Sequence, residues 1–163
     1  VDLAQLCTET AATVEEAVAR SGLAFVTEVG PEVGIVTGDP RRLGQALGNI
    51  LKNAISYTPQ GGRILLRAEG DRDEARIIVS DNGAGIAPAD QARVFDRFSR
   101  TVEGRSGEEA AVGIGLPLAR QFVEAHGGAI ELQSALGQGT TVTIRLPRTA
   151  EQRAEWPVRQ VAE

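Results

Sequence analysis

Several residue types are scarce in this 163-residue chain, and each scarcity excludes a class of protein. Cys7 is the single cysteine, so no internal disulfide can form, which weakly favours a reducing compartment. No apolar run approaches the ~18 residues of a membrane span. The acidic first residues lack the basic flank of a signal peptide. The chain also contains no methionine, and the missing initiator favours a fragment or a processed chain.

Positive charge is also in short supply, because 17 basic residues stand against 22 acidic ones and leave a net charge of −5. A general nucleic-acid binder is therefore disfavoured, since affinity for phosphate backbones rests on an excess of Lys and Arg on one surface. The exception is a local basic cluster of Arg93, Arg97, Arg100 and Arg105. Such a cluster suits either a small polyanion, for example a nucleoside triphosphate, or a solvated loop. The chain length suits one domain with a sizeable core.

Hydrophobic periodicity predicts helices and strands that alternate along the chain. Helical spacing covers residues 1–20 after an extended start, 40–57, 88–94 and 113–126. Strand-like alternation covers residues 24–29, 34–36, 64–68, 74–81, 129–134 and 140–146, with turns at 70–73 and 136–139. Residues 99–112 lack periodicity and predict a long loop of the kind that acts as a lid. The charged segment 148–163 predicts a partly ordered tail.

One strand ends in a carboxylate that two glycines follow. Residues 75–79 alternate apolar and polar side chains, and Asp81 continues the apolar phase. A carboxylate in that position needs a hydrogen-bond donor. Gly83 and Gly85 allow positive φ and close approach of a ligand to the backbone. Thr140 is in phase with the buried residues of the last strand, so we expect its hydroxyl and Asp81 to meet beneath a planar ligand that carries an amino group.

The helix over residues 40–57 carries two stripes of different character. It begins with Asp39 as N-cap and proline at its first position. The apolar stripe consists of Leu43, Leu47, Ile50, Leu51 and Ala54. The other stripe places Asn49, Asn53 and Tyr57 at successive four-residue steps, so that they point toward a common region. Helix geometry alone slightly favours a solvated polar face over a binding site for this second stripe.

A glycine pair, Gly113 and Gly115, opens the helix that follows the long loop. Free N–H groups and the helix dipole at such a start favour an anion, which predicts a phosphate site. A single Gly-x-Gly is weak evidence by itself, and its position after a loop of lid length strengthens it.

Five motifs in order then resemble those of the catalytic ATP-binding domain of bacterial sensor histidine kinases. The asparagine box is GNILKNAISYTPQGG, the first glycine box DNGAGI, the phenylalanine box FDRFSR, the second glycine box GIGLPLARQFVEAHGG and the last one GQGTTVTIRLP. Five motifs with a lid-length loop in the right gap leave little room for coincidence. The resemblance covers residues 1–147, which we expect to form one domain ahead of the tail at 148–163.

The resemblance implies a two-layer α/β sandwich, a mixed sheet with helices on one face, that binds ATP and Mg²⁺. Asp81 and Thr140 would recognise the adenine amino group, and Asn53 would hold Mg²⁺ with help from Asn49. Arg97 and Arg100 would neutralise charge during phosphoryl transfer. The remaining residues expected around the nucleotide are Tyr57, Gly83, Gly85, Ile86, Gly113, Ile114, Gly115 and Leu116.

The resemblance also implies the reaction and its partners. Related ATPases carry a Glu general base where this chain has Asn49, so transfer to another nucleophile is expected rather than hydrolysis. That nucleophile would be a histidine on a dimerisation domain outside this chain, because His126 ends a helix and suits a packing role. A response regulator would then receive the phosphoryl group. We expect a cytoplasmic domain that is inactive alone, in a homodimeric parent protein that is either soluble or anchored in the inner membrane.

Two alternatives remain open. Ser56 stands where the family often has a basic residue, which favours a degenerate relative that works as an interaction module with weak or no ATP binding. A serine kinase of the anti-sigma type on the same fold is the other alternative, since this chain does not contain the acceptor.

Overall fold

Five strands and five helices make up the part of the chain that the computed structural model describes, residues 1–91 and 108–156, with side chains from residue 115 onward in the second range. The helices are α1 Leu3–Arg20, α2 Pro40–Tyr57, α3 Pro88–Gln91, α4 Glu108–Ala125 and α5 Ala150–Ala154, with a 3-10 turn at Pro31–Val33. The strands are β1 Ala24–Val29, β2 Arg63–Gly70, β3 Glu74–Asp81, β4 Ala129–Ala135 and β5 Gly139–Pro147. None of these helices is long and apolar enough to cross a membrane.

The strands form a single mixed sheet in the order β1-β2-β3-β5-β4. Only β1 and β2 run parallel, and the other three pairs are antiparallel. The parallel pair requires a crossover, which α2 supplies between β1 and β2. The mixed sheet expected from the resemblance is therefore confirmed.

Alternate residues of the central strands build the core. Leu66, Val79 and Val142 are neighbours across β2, β3 and β5, and all three are buried. The next row, Ala68, Ile77 and Ile144, is buried as well. The strand periodicity read from the sequence thus identified the buried face correctly.

The three long helices cover that buried face. The middle helix, α2, lies between α1 and α4 and packs over β3. On its two sides α1 covers β1 and β2, and α4 covers β4 and β5. Asp39 caps α2 as predicted, because its carboxylate accepts a hydrogen bond from the Arg41 N–H at 2.9 Å. Cys7 of α1 is fully buried, and burial raises the pKa of its thiol to about 12.

The opposite face of the sheet carries no helix among the described residues and is covered by charged side chains. A chain of ion pairs crosses all five strands through Glu28, Arg67, Glu69, Arg76, Glu74, Arg145 and Glu131. Arg76 is the most buried of its arginines, and its hydrogen bond to Glu74 raises the pKa of its guanidinium. These pairs make the open face largely polar, with Val26, Leu65 and Ile78 as its larger apolar residues.

Two predicted boundaries are wrong. Residues 34–36 do not form a strand, because Gly34 adopts a φ of 64° and only one bridge forms, between Asp2 and Ile35. The fourth helix begins at Glu108 rather than at residue 113, so Gly113 and Gly115 lie inside it. Residues 108–111, two glutamates followed by two alanines, are strong helix formers that extend the helix upstream. Pro117 is consequently an interior residue, not a first-turn one.

The segment that follows β5 is anchored by a buried arginine. The Arg148 guanidinium donates to the backbone carbonyls of Asp71, Ile35 and Glu32 at 2.7, 2.9 and 3.1 Å. It also stacks on the ring of Trp156, 4.5 Å from the centroid. Arg148 thus connects the C-terminal segment to the β2–β3 turn and to the segment before α2.

The loop after β3 interlocks with the turn between β4 and β5. Gly85 has a φ of 79°, and a Cβ added to it would collide with the carbonyl oxygen of Ala135. The turn between β4 and β5 contacts this loop in return, because the Gly137 N–H donates to the Ala84 carbonyl at 2.8 Å. Gly85 is therefore required because protein backbone occupies the space beside it.

We predict that Arg148→Ala lowers the free energy of unfolding by about 3 kcal/mol, because three partly buried hydrogen bonds from a charged donor are lost. Urea unfolding measures the change. Arg20→Ala is the control, since Arg20 makes only an exposed pair with Glu16 at 3.4 Å and should cost less than about 0.5 kcal/mol. Similar losses in both variants would contradict the anchoring role of Arg148.

We further predict that Gly85→Ala costs at least about 3 kcal/mol, whereas Gly137→Ala costs about 1 kcal/mol. Both glycines have a φ of 79°, but Gly137 has no atom within 4 Å of an added Cβ. Any difference between them therefore measures the collision with Ala135 rather than backbone strain. Equal losses in a urea titration would show that the two loops do not interlock in solution.

Candidate functional site

One row of cross-strand neighbours in the sheet is apolar on β1 and β2 and polar on β3, β5 and β4. The row runs through Phe25, Ile64, Asp81, Thr140 and Ser134, one residue from each strand. Its next neighbours toward the middle of the sheet are the apolar residues of the core. The polar half of this row lies at the end of β3, beneath the helical layer, and forms the centre of the candidate site.

Asp81 is half-buried in this row. Burial raises the pKa of its carboxyl, while the backbone N–H groups of Gly83 and Thr140 act in the opposite direction. The Gly83 N–H donates to Oδ1 at 2.9 Å. The sequence predicted that this carboxylate needs a hydrogen-bond donor. The structure supplies two, a backbone N–H from the loop after β3 and another from β5. The ionised carboxylate can only accept hydrogen bonds, so it suits a ligand group with an N–H donor.

Thr140 is buried, as its phase in the last strand predicted. Its hydroxyl contacts the hydroxyl of Ser134 in β4. The two hydroxyl oxygens are 2.7 Å apart, and Ser134 Oγ also donates to the Gly139 carbonyl at 3.0 Å. The sequence reading missed Ser134. A signal was present, because Ser134 ends one arm of the last hairpin and Thr140 begins the other, which places them opposite each other.

Ser134 also holds the loop that contains Ile86. The Ile86 N–H donates to Ser134 Oγ at 2.8 Å, and the side chain of Gln91 donates to the carbonyls of Ile86 and Ser134, both at 2.9 Å. Ile86 itself is buried. The loop that bears Gly83, Gly85 and Ile86 is therefore fixed against β4 by polar contacts that the sequence did not reveal.

The asparagine stripe of α2 is not a solvated face, so the alternative that helix geometry favoured is wrong. Asn49 and Tyr57 are half-buried, and Asn53 is only 6% exposed. The Asn53 carboxamide makes no side-chain hydrogen bond within the described ranges. A buried amide without a partner is costly, and it is the feature expected where a ligand supplies the missing contact.

Two contacts join α2 to the rest of the candidate site. The Asn49 amide donates to the Gly115 carbonyl at 3.3 Å, which ties α2 to α4 beside the buried Leu116. A Cβ on Gly83 would collide with the Tyr57 carbonyl oxygen, so the loop after β3 packs directly against the end of α2. Glycine is needed at position 83 for this protein contact, which is a different reason from the ligand approach that we expected.

Several predicted site residues cannot be compared with the structure. Arg97 and Arg100, with Arg93 and Arg105, lie outside the described residues. For Gly113 and Ile114 only the helical backbone is described. Because both lie inside α4, they do not present free N–H groups at a helix start, and the predicted anion site at that start is wrong.

No cluster of three or more His, Cys, Asp or Glu side chains that could hold a metal ion occurs in residues 1–91 and 115–156. The predicted Mg²⁺ ligand is the Asn53 carboxamide oxygen. Carboxamide oxygen is a suitable ligand for this cation, and Mg²⁺ usually takes one or two protein ligands together with substrate phosphates. An unpartnered, buried Asn53 therefore fits the cation that the sequence predicted.

His126 has the packing role that the sequence predicted. Its Nε2 accepts the Asp39 N–H at 2.9 Å, and its Nδ1 lies 2.8 Å from the Phe122 carbonyl. Because Nε2 accepts, Nδ1 carries the proton and donates. Both ring nitrogens are thus engaged in joining α4 to the start of α2. Phosphorylation of either nitrogen would break one of these bonds, so His126 is a poor phosphoacceptor.

Comparison with known proteins places this geometry in a family. Residues 38–150 match the family described as histidine kinase-, DNA gyrase B-, and HSP90-like ATPases. The circadian input-output histidine kinase CikA of Synechococcus elongatus is 37% identical over 148 residues, covering 89% of this chain and 20% of CikA. The sensor histidine kinase WalK of Bacillus subtilis is 38% identical over 120 residues, covering 72% of this chain and 20% of WalK. The chain spans about a fifth of these curated relatives.

Solved structures agree with the sequence relatives. The mycobacterial sensor histidine kinase MprB matches with a TM-score of 0.78 and 34% identity, over 90% of this chain and 96% of MprB. Full-length ShkA in complex with AMPPNP matches with a TM-score of 0.78 and 30% identity, over 92% of this chain and 31% of ShkA. Histidine kinase ThkA in complex with response regulator protein TrrA matches with a TM-score of 0.75 and 26% identity, over 93% of this chain and 42% of ThkA.

The family match covers the whole site, from α2 through β5, and the similarity to MprB extends over 96% of the solved MprB chain. The chain therefore belongs to the histidine kinase-, DNA gyrase B-, and HSP90-like ATPases, and it is the catalytic ATP-binding domain of the sensor histidine kinase type.

Proposed function

We propose that this domain binds ATP with Mg²⁺ and donates the γ-phosphoryl group to a histidine on a dimerisation domain of its parent protein. The phosphoryl group then passes to an aspartate of a response regulator. The proposal rests on two polar side chains, Asp81 and Asn53, that belong to the same candidate site. Asp81 offers a desolvated hydrogen-bond acceptor, and Asn53 offers a buried carboxamide with no partner in the described chain.

Asp81 and Thr140 recognise the base. A desolvated carboxylate makes strong, selective hydrogen bonds to N–H donors, and the exocyclic amino group of adenine supplies such donors. Ile86 and Leu116, both buried, contribute apolar surface at the edges of the site. Tyr57, Gly83, Gly85 and Gly115 shape its backbone walls. The binding of AMPPNP by ShkA, a protein of the same fold, supports a nucleotide in this position.

Asn53 holds Mg²⁺, which when bound neutralises phosphate charge and orients the γ-phosphoryl group. Asn49 lies one helical turn earlier, and its amide N–H is already used on the Gly115 carbonyl. Arg97 and Arg100 provide further positive charge during the transfer. In this arrangement the side chains of α2 position the phosphates, and β3 and β5 position the base.

Asn49 directs the chemistry toward transfer. An amide cannot take a proton from water near neutral pH, so this position cannot activate water as a Glu would. An imidazole needs no such activation, because a neutral ring nitrogen attacks with its own lone pair. The new bond joins that nitrogen to the γ-phosphorus, and the bond from phosphorus to the β–γ bridging oxygen breaks to release ADP.

The partners follow from the reaction. A domain without an acceptor histidine needs one from another domain, and the relatives' chains are about five times longer than the part this chain matches. The ThkA–TrrA complex supports a response regulator as the next acceptor. The parent protein acts as a homodimer, and this domain works in the cytoplasm.

We predict that Asp81→Asn weakens ATP binding about 30-fold or more, because the carboxamide is a weaker acceptor and presents an N–H toward the adenine amino group. Isothermal titration with AMPPNP and Mg²⁺ measures this. Asp73→Asn is the control, since it removes the same charge from the exposed β2–β3 turn. Unchanged affinity in Asp81→Asn would refute the role of Asp81. Absence of heat with wild-type protein at millimolar ligand would instead favour the interaction module.

The same substitution should stabilise the ligand-free domain at about pH 7, by about 0.5–1 kcal/mol. Burial raises the pKa of Asp81 above its unfolded value of about 3.9. The stability that the neutral acid contributes is present below the unfolded pKa and is lost as the pH rises through the folded pKa. The advantage of Asn should therefore shrink as the pH falls through that range. Urea titrations at several pH values measure it, and a less stable Asn variant at neutral pH would contradict the desolvation.

The transfer reaction is tested with a separately produced dimerisation domain. We predict labelled phosphate on its histidine when wild-type chain, Mg²⁺ and γ-labelled ATP are added, and a loss of at least about 100-fold with Asn53→Ala, which lacks the carboxamide oxygen. Arg41→Ala, on the exposed side of α2, is the control. Appreciable phosphate release by this chain alone would contradict the reasoning about Asn49.

A further inference from the structure

The hydrogen bonds around Ser134 can all form together with only one arrangement of the hydroxyl protons. Ser134 Oγ has three neighbours, the Ile86 N–H at 2.8 Å, the Gly139 carbonyl at 3.0 Å and Thr140 Oγ1 at 2.7 Å. The N–H can only donate and the carbonyl can only accept. All three contacts can be hydrogen bonds at once only if the single Ser134 proton goes to Gly139 and the Thr140 hydroxyl donates its own proton to Ser134. We assign the protons in this way.

This direction leaves Thr140 without a proton for a ligand. Its hydroxyl oxygen keeps only lone pairs, and it is the cross-strand neighbour of Asp81, whose carboxylate is also an acceptor. The backbone N–H of Thr140 is already engaged by Asp81. The two neighbouring polar side chains thus both act as acceptors.

We propose that Ser134 is a positioning residue that sets the base specificity of the site by holding the Thr140 hydroxyl as an acceptor. The inference rests on the proposed function, because it concerns the same nucleotide site. A site with two acceptors favours a base edge that presents an amino group. It disfavours the corresponding edge of hypoxanthine, where a carbonyl oxygen, itself an acceptor, takes the place of the amino group and the proton is on N1 instead.

Removing Ser134 frees the Thr140 proton. The hydroxyl can then rotate and donate to the carbonyl oxygen of an inosine base. Ser134→Ala should therefore lower the preference for ATP over inosine triphosphate by about tenfold, through tighter relative binding of inosine triphosphate. Affinities for both nucleotides come from titrations in the presence of Mg²⁺. A loss of stability alone would weaken both nucleotides in parallel and leave their ratio unchanged.

Two further variants separate specificity from folding. Ser134→Thr keeps the hydroxyl and should retain the wild-type ratio, whereas Ser134→Cys keeps the side-chain size but accepts hydrogen bonds poorly and should lower it. Ser80→Ala is the matched control, because Ser80 makes a similar bond to Thr141 at 2.9 Å on the opposite face of the sheet. The control should leave the ratio within about twofold of wild type.

A double-mutant cycle tests whether Ser134 acts through Thr140. In a Thr140→Val background, Ser134→Ala should change the ratio by less than about twofold. An unchanged ratio in both Ser134→Ala and Ser134→Cys, with ATP still bound, would overturn this inference alone. A full effect of Ser134→Ala in the valine background would also overturn it. Failure of the wild-type chain to bind ATP would overturn the proposed function and this inference together.

Discussion

The burial of one carboxylate, Asp81, is the constraint on which the site depends. A charge at the end of a core strand is costly unless donors reach it, and here the donors are backbone N–H groups of the following loop and of β5. Those donors can reach the carboxylate only if the loop turns sharply and β5 lies beside β3. The interlocked glycines and the central position of β3 and β5 in the sheet both serve this requirement.

The site joins a rigid half to a half formed by helix packing. The rigid half is the cross-strand row from Asp81 to Ser134, held by the sheet ladder and by hydroxyl contacts. The other half is the stripe of α2, which the Asn49–Gly115 contact ties to α4. A nucleotide that spans both halves would contact the sheet with its base and the helices with its phosphates. The proposed function thus divides base recognition and phosphate positioning between the two layers of the sandwich.

Ligand recognition and stability oppose each other at this site. Burial raises the pKa of Asp81, so its surroundings favour the neutral form, and Asn53 is buried without a partner among the described residues. Both features lower the stability of the empty domain, and the nucleotide and cation of the proposed function would relieve both. Arg148 is a contrasting case, because each nitrogen of its buried guanidinium donates to a backbone carbonyl and so anchors the fold.

The sequence by itself determined the elements whose signals are local. Strand alternation identified the buried face of β3 and β5, Asp39 marked the start of α2, and the motifs identified the family. Tertiary structure alone decided the rest. Ser134 holds the loop after β3 only because the fold brings Ile86, 48 residues away in the sequence, to its hydroxyl. The buried state of Asn53 likewise depends on the packing of α2 against its neighbours. Register and packing are long-range relations, so a residue's own neighbours in the sequence do not encode them.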